Sequence, residues 1–313
     1  MGKVCVGIDV GGTTVKLGIF EVNGQLMEKW EIPTRIEDGA KYILPDIAES
    51  VKEKLADLKI ELGDVVGAGM GIPGPVLADG MVTQCVNLGW KEKNAQNELS
   101  ELLGVPVKSG NDANVAALGE MWQGGGKGFH DIVMVTLGTG VGGGVIIDEK
   151  IVPGRHGLGG EIGHIHVRDE ETEACNCGGV GCLEQIASAT GIAREARRKM
   201  AADNTPSVLR EQGDQVTAKD VLDAAKAGDA LADEVVETAA RYLGLVLSQV
   251  ALTVDPEAFV IGGGVSKAGE FLTDKIDKYY QKYTVISKDK GIIALAKLGN
   301  DAGIYGAARM VLS

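Results

Sequence analysis

The sequence predicts a mixed α/β protein built as two related lobes. Apolar, strand-like runs alternate with helical segments along its 313 residues. Glycine, at 46 residues, is concentrated in clusters that follow those runs, where α/β proteins place ligands. A strand, glycine turn, strand pattern near the start recurs after residue 130 as a weak internal repeat.

The elements follow in order. VCVGIDV precedes Gly11-Gly12-Thr13-Thr14, VVGAGMGI precedes Pro73-Gly74-Pro75, IVMVTL precedes Gly138-Thr139-Gly140, and AFVI precedes Gly262-Gly263-Gly264. Residues 4–10, 15–22 and 25–32 read as consecutive strands, with Asn23-Gly24 as a tight hairpin turn between the second and third. Residues 132–137 and 143–147 form the matching pair. Ile47, Val51, Leu55 and Leu58 share one helix face, with Pro45 tolerated near its start. Residues 114–122 read as a helix after a turn at Asn111-Asp112, and residues 183–200 as another. Thr217 and Asp220 resemble a capping box ahead of Val221 and Leu222. Leu231, Val235, Leu243, Val246, Leu247 and Val250 mark a long buried helix, and a last helix runs from about Gly303 to Val311. The crossing between lobes is expected at Asn111 to Glu120, which gives a smaller lobe of residues 1–112 plus 300–313 and a larger one of 113–299.

Composition narrows the function. Apolar residues at 44% can fill real cores, and charged residues at 24% are ordinary for a globular chain. A net charge of −13 repels duplex nucleic acid, and the basic cluster Arg194, Arg197, Arg198 and Lys199 reads as one solvated helix face, so no nucleic-acid partner is expected. No apolar run approaches the ~20 residues of a membrane span, and the first strand follows without a secretory pattern, so a cytoplasmic protein without a membrane partner is expected. Three of the five cysteines fall within eight residues, which favours a metal over disulfides.

Asp9, Gly11, Gly12, Thr13, Thr14 and Lys16 lie in a turn between two strands. Glycines allow close approach to a phosphate, threonine hydroxyls and Lys16 add donors, and Asp9 can hold Mg²⁺. The same residues also suit a plain hairpin turn with one exposed carboxylate. It is not a P-loop, because a strand follows and the lysine spacing differs. Gly138, Thr139 and Gly140 make the same offer on the other lobe, so one nucleotide is expected between the lobes. Gly262, Gly263 and Gly264 would let the backbone lie against a base or ribose, or simply punctuate a strand and a helix. Asp112 at the crossing suits a base that accepts a sugar hydroxyl proton, and it equally suits a helix N-cap.

The most specific feature is GEIGHIHV followed by CNCGGVGCLE. Cys175, Cys177 and Cys182 with one histidine make a Cys₃His set for tetrahedral Zn²⁺ with no open position, hence a structural ion. Gly178, Gly179 and Gly181 allow the turn that folds Cys182 back. His164 and His166 both have reach and would point the same way on a strand. Glu161 and Glu184 flank the cluster on a loop the zinc would fix, and can accept sugar hydroxyls; both also suit helix starts. Removing zinc is expected to weaken sugar binding and leave nucleotide contacts largely in place.

The motifs DVGGTTVK, GMGIPGPV, NLGW, NDANVAALGE, VTLGTGVGGG, GEIGHIHV, CNCGGVGCLE, VIGGG and GNDAGIYGAA together resemble the ROK family (repressors, open reading frames and sugar kinases), and within it the bacterial glucokinases. The resemblance spans essentially the whole chain. It implies an actin-like, hexokinase-type, ribonuclease H-like ATPase fold with a cleft that closes on the sugar, and a structural zinc site. It implies Asp112 as catalytic base, and Gly74, Asn87, Asn111, Asp112, Glu161, His164 and Glu184 as sugar contacts. It places Gly12, Thr13, Thr14, Lys16, Thr139 and Gly263 on the nucleotide side, and names His164, Cys175, Cys177 and Cys182 as zinc ligands. ATP and Mg²⁺ are the implied cofactors, and glucose becoming glucose 6-phosphate is the implied reaction in a homodimer. Asn87-Leu88-Gly89-Trp90 leans to glucose, with N-acetylmannosamine, fructose or allose as alternative sugars. A non-catalytic sugar-sensing regulator is a further alternative. Family repressors carry a winged helix-turn-helix ahead of this part; with DVGGTTVK starting within the first ten residues, none is expected here.

Overall fold

The structure, a computed structural model, describes residues 2–77, 79–85 and 87–312; the outermost residues of the expected lobes, 1 and 313, lie outside the described residues. Along the chain run β1 (Val4–Val10), β2 (Thr14–Glu21), β3 (Leu26–Pro33), α1 (Glu37–Ala40), α2 (Ile43–Asp57), β4 (Val65–Ile72), β5 (Val82–Cys85), β6 (Trp90–Lys93), α3 (Ala95–Leu103), β7 (Val107–Asn111) and α4 (Asp112–Gln123). They are followed by β8 (Ile132–Leu137), β9 (Val141–Ile147), β10 (Lys150–Ile151), α5 (Glu184–Ala187), α6 (Ala189–Ala202), α7 (Ala218–Lys226), α8 (Ala230–Val254), β11 (Ala258–Gly262), α9 (Glu270–Tyr283), β12 (Ile292–Leu295) and α10 (Ala302–Met310). The chain divides into two compact units. One holds the residues up to Asp131, Gly144–Gly160 and the residues from Leu298 onward; the other holds Ile132–Gly143 and Glu161–Lys297.

The sheet of the first unit has the order β3-β2-β1-β4-β7. β1 is antiparallel to β2 and parallel to β4, and β4 is parallel to β7. Side chains alternate across a strand. Val4, Val6, Ile8 and Val10 therefore join a core with the apolar stripe of α2, including Ile43, Ile47, Val51 and Leu55, and with Leu99 and Leu103 of α3. The other face of β1 carries Cys5, Gly7 and Asp9. There Cys5 and Phe20 pack with Ile304 and Ala308 of α10, and Trp122 and Tyr305 close the edge.

Glycine makes this second face possible. Gly7 pairs with Gly18 on β2 and Gly69 on β4. A Cβ on Gly7 would lie 1.9 Å from Ile304 O, and one on Gly69 would lie 1.7 Å from Ala307 O. α4 is held to α10 in the same way, since a Cβ on Gly306 would meet Val115 O at 1.7 Å and one on Gly119 would meet Ala302 O at 2.1 Å. This contact keeps α4 in the first unit, although the sequence reading put residues from 113 onward in the larger lobe.

The second five-stranded sheet has the order β10-β9-β8-β11-β12, with β11 parallel to both β8 and β12. β11 is buried along its whole length, and its Phe259 meets Tyr280 of α9 edge-on at 5.4 Å. Helix α8 is long and apolar enough to cross a bilayer by length and composition, with mean hydropathy 1.3, which corrects the expectation that no apolar run approached that length. It packs against α5, α6, α7 and α9, and 56% of its apolar window is buried there, as in a core helix. The capping box at Thr217 and Asp220 is formed in both directions. The helix expected over 183–200 is broken: Ser188 takes an extended conformation (φ −74°, ψ 170°), ends α5 and caps α6 through Gly191 N–H.

Replacing Gly69 by Ala forces a methyl group into a backbone carbonyl that cannot rotate away. Urea denaturation is expected to show a loss of about 3 kcal/mol or more. Gly63→Ala, at a site with nothing within 4 Å of the added carbon, changes stability by no more than about 0.5 kcal/mol.

Candidate functional site

In the first unit the turn after β1 is closed by Gly11 N–H donating to Thr14 O at 3.0 Å. It is braced from outside by the Thr34 hydroxyl on Gly11 O (2.7 Å) and Thr34 N–H on Thr13 O (3.0 Å). Asp9 and Lys16 stand opposite each other in register, and Lys16 Nζ donates to Asn300 O at 3.0 Å. Asp9 lies against the start of α10: a Cβ on Gly303 would fall 2.6 Å from its carboxylate carbon. Burial pushes the Asp9 carboxyl up to about 6, with Lys16 opposing and the Asp112 charge adding to the rise. Asp9 and Asp112 are thus close enough to repel. Asn87 lies beside the turn, its Cβ 3.9 Å from where a Cβ on Gly12 would be.

The structure separates the two duties that Asn111-Asp112 could perform. Asn111 is the N-cap of α4, and its Oδ1 accepts Ala113 N–H at 3.1 Å and Asn114 N–H at 3.2 Å. Its amide donates to Gly74 O at 3.1 Å and to Asp112 Oδ1 at 3.0 Å. Asp112 is the first helical residue and also receives Ala113 N–H at 2.8 Å. A cap residue that also donates to a carboxylate and to the Gly74 loop holds three of the sequence-predicted sugar residues in one arrangement. Gly74 has φ +99°, and a Cβ there would lie 2.6 Å from Gln84 O, so no other residue fits without strain.

In the second unit the donor atoms of His164, Cys175, Cys177 and Cys182 all lie within 4.8 Å of one another. Cys177 Sγ and Cys182 Sγ are 3.7 Å apart, as are Cys175 Sγ and His164 Nδ1. Zn–S bonds of ~2.3 Å in a tetrahedron give an edge of about 3.8 Å, so the donor set fits Zn²⁺ in type and spacing. Gly178 (φ +87°) and Gly181 (φ +73°) make the turns that return Cys182 to the cluster. His164 closes a 3₁₀ turn rather than lying on a strand, so His164 and His166 do not point the same way. His166 is spent elsewhere, with Nδ1 2.8 Å from Val180 O and Nε2 2.8 Å from Asp169 Oδ1. With His164 Nδ1 toward Cys175, its Nε2 is left on the side of Glu161, 3.9 Å from that carboxylate.

Glu184 begins α5, but its carboxylate is turned to the glycine turn of the same unit. Oε2 accepts Val141 N–H at 2.9 Å, and a Cβ on Gly140 would strike it at 2.1 Å. Gly140 is therefore glycine for the sake of Glu184. Gly263 (φ +86°) folds the third glycine cluster against Leu137, just before Gly138, with Leu137 O 2.4 Å from a Cβ placed on it. Gly262 packs between Met134 and Ala296, while a Cβ on Gly138 or Gly264 would meet nothing within 4 Å.

Sequence reasoning missed the support of the metal loop. Gln185 Oε1 accepts Cys182 N–H at 3.1 Å, and its amide donates to Glu173 O at 2.9 Å. Buried Glu171 receives Arg198 at 2.8 and 2.9 Å and Arg194 at 3.1 Å, while Arg198 and Arg194 also reach Glu173. The basic cluster expected to form a solvated face is, at Arg194 and Arg198, committed to these carboxylates. The Arg198 guanidinium, partly offset by burial, holds the Glu171 carboxyl down at about 2. The signal available in the sequence was Glu171 and Glu173 just ahead of CNCGGVGC, with arginines at i and i+4 on the following helix.

A carboxyl held below its ordinary 4.5 adds stability that is full above that value and lost as pH falls toward 2. Glu171→Gln is expected to cost about 2–4 kcal/mol at pH 7 in denaturant titrations. The gap from wild type should narrow as pH falls below the ordinary carboxyl value of 4.5 and close only toward the folded value of about 2. Purified protein is expected to carry about one zinc per chain by metal analysis, and Cys182→Ser to lose it together with thermal stability.

Residues 5–313 match the model of the ROK family. A glucokinase of Halalkalibacterium halodurans is 43% identical over 311 residues, covering 98% of this chain and 94% of that protein. A ROK family glucokinase from Streptomyces griseus, solved with glucose and AMPPNP, is 33% identical with TM-score 0.74 and 98% of each chain covered. A ROK hexokinase from Thermus thermophilus is 31% identical with TM-score 0.81, over 97% of this chain and 96% of that one. The α/β fold with its mixed sheets and its Cys₃His cluster is the fold expected from the motifs, and this chain belongs to the ROK family.

Proposed function

We propose that this chain is a glucokinase that transfers the γ-phosphate of ATP to the 6-hydroxyl of glucose, giving glucose 6-phosphate and ADP. The observation that carries the reading is the Asn111–Asp112 arrangement at the start of α4, in a chain similar over almost its whole length to glucokinases. Asp112 accepts the hydroxyl proton and aims the oxygen for in-line attack. Asn111 orients that carboxylate and, with Gly74, Asn87, Glu161, His164 and Glu184, takes up sugar hydroxyls. The His164 Nε2 side is suited to such a contact because its Nδ1 faces the thiolates. Gly11, Gly12, Thr13, Thr14, Lys16, Gly138, Thr139, Gly140, Gly262, Gly263 and Gly264 form the nucleotide side.

Two metals fit beside these residues. Asp9 is the residue to hold Mg²⁺, which when bound neutralises charge on the phosphates. His164, Cys175, Cys177 and Cys182 would hold Zn²⁺, which with these four ligands would leave no position for chemistry and would fix the loop between Glu161 and Glu184. The reading keeps a cytoplasmic homodimer, for which sedimentation is the check.

Asp112→Asn is expected to lower kcat about 10²- to 10⁴-fold with glucose binding retained. Near-normal turnover would remove Asp112 as base. Coupled ADP release across glucose, N-acetylmannosamine, fructose and allose is expected to favour glucose by about tenfold or more in kcat/KM. Sugar binding without ADP release would make the protein a sensor.

A further inference from the structure

Residues 184–190 of the second unit lead from the metal loop into α6, and they touch the glycine turn of residues 138–141 at three places. Glu184 Oε2 accepts Val141 N–H at 2.9 Å, Ala189 N–H donates to Gly138 O at 2.8 Å, and the Thr190 hydroxyl donates to Thr139 O at 2.7 Å. Ser188 is fully buried, accepts Gly191 N–H at 3.0 Å, and stands 3.0 Å from the Thr190 hydroxyl. A hydroxyl has one proton. With the Thr190 proton committed to Thr139 O, the Ser188 proton goes to Thr190, and the relay has a single direction.

The consequence is an orientation of the turn. The peptide unit is planar and trans, so a carbonyl held on one side sends the next N–H to the other. With the carbonyls of Gly138 and Thr139 drawn toward residues 189–190, the N–H groups of Thr139 and Gly140 face away from them. Successive N–H groups turned outward are what an anionic phosphate requires.

We infer that residues 184–190 are a clasp that sets the 138–141 turn for phosphate, with Ser188 and Thr190 as positioning residues for the nucleotide. The inference rests on the assignment of that turn to the nucleotide. The clasp starts two residues after Cys182, so the metal loop and the nucleotide turn share one segment. Loss of the metal then reaches the nucleotide as well as the sugar, contrary to the expectation from sequence.

The test is Thr190→Val, which keeps the shape and removes the donor, with Thr190→Ser as the rescue. Calorimetry with Mg·AMPPNP and with glucose, zinc content, and hydrogen exchange at the Val141 amide are measured on each full-length protein. Thr190→Val is expected to weaken Mg·AMPPNP about five- to tenfold. Zinc is kept, glucose affinity stays within about twofold, and Val141 exchanges faster. Thr190→Ser returns all of these to wild type. Chelating the zinc from wild-type protein is expected to speed Val141 exchange in the same way, and unchanged exchange there overturns the coupling to the metal loop. Unchanged Val141 exchange in Thr190→Val overturns the clasp. Faster exchange with unchanged nucleotide affinity leaves the clasp in place but removes the turn from the nucleotide site, which overturns the inference through its functional premise.

Discussion

Contact between backbones on both sides of α10 is the constraint on which the first unit depends. Gly7 and Gly69 let the sheet approach the carbonyls of Ile304 and Ala307, and Gly119 and Gly306 let α4 approach α10 from another side. No side chain fits in those spaces, so the position of the helix is fixed by hard contact rather than by adjustable side-chain packing. Everything at the mouth of the unit inherits that position. Gly303 sets the start of α10 against the Asp9 carboxylate, Asn300 receives Lys16, and α4 carries Asn111 and Asp112. The last residues in the chain thereby place the first candidate site residues.

The second unit uses polar contacts where the first uses glycine. Its metal loop has little apolar material of its own, and the Cys₃His cluster provides a centre for it. The loop is then tied to α6 by the ion pairs of Glu171 with Arg194 and Arg198, and to α5 by Gln185. A loop held at both ends fixes Glu161, His164 and Glu184, the residues proposed to read sugar hydroxyls.

The buried carboxylates show how environment sets function. Asp9 has one lysine opposite and another carboxylate nearby, and burial dominates, so its pKa rises. Glu171 sits among arginines instead, and its pKa falls. Glu120, fully buried in α4, receives Gly125 N–H and Leu298 N–H and so ties the end of α4 to the start of the segment leading into α10. An uneasy charge next to the candidate base suits a cation-binding group, and satisfied charges suit a frame.

Much of this was legible in the sequence. Strand periodicity, the glycine clusters, the capping box and the cysteine spacing are local signals, because each depends on residues within a few positions of one another. They gave the α/β class, most of the elements, and the cysteines of the Cys₃His cluster, with the choice of histidine left open. What local spacing could not reveal was purpose at a distance. Glycines at 7, 69, 119 and 306 look like those of ligand turns, or like nothing in particular, until α10 lies against them. The alternate glycines of VVGAGMGI were the one hint that a strand face was being cleared. Arg194 and Arg198 look solvated until Glu171 arrives from 23 and 27 residues away. The break at Ser188 and the turning of Glu184 toward Val141 depend on a turn more than 40 residues earlier. The sequence by itself determined which residue types are available, and at what spacing, for the proposed phosphate, metal and sugar sites. The tertiary structure decided which atoms they present, because only close packing and hydrogen bonding between distant segments fix the direction of a carbonyl, an imidazole nitrogen or a carboxylate oxygen.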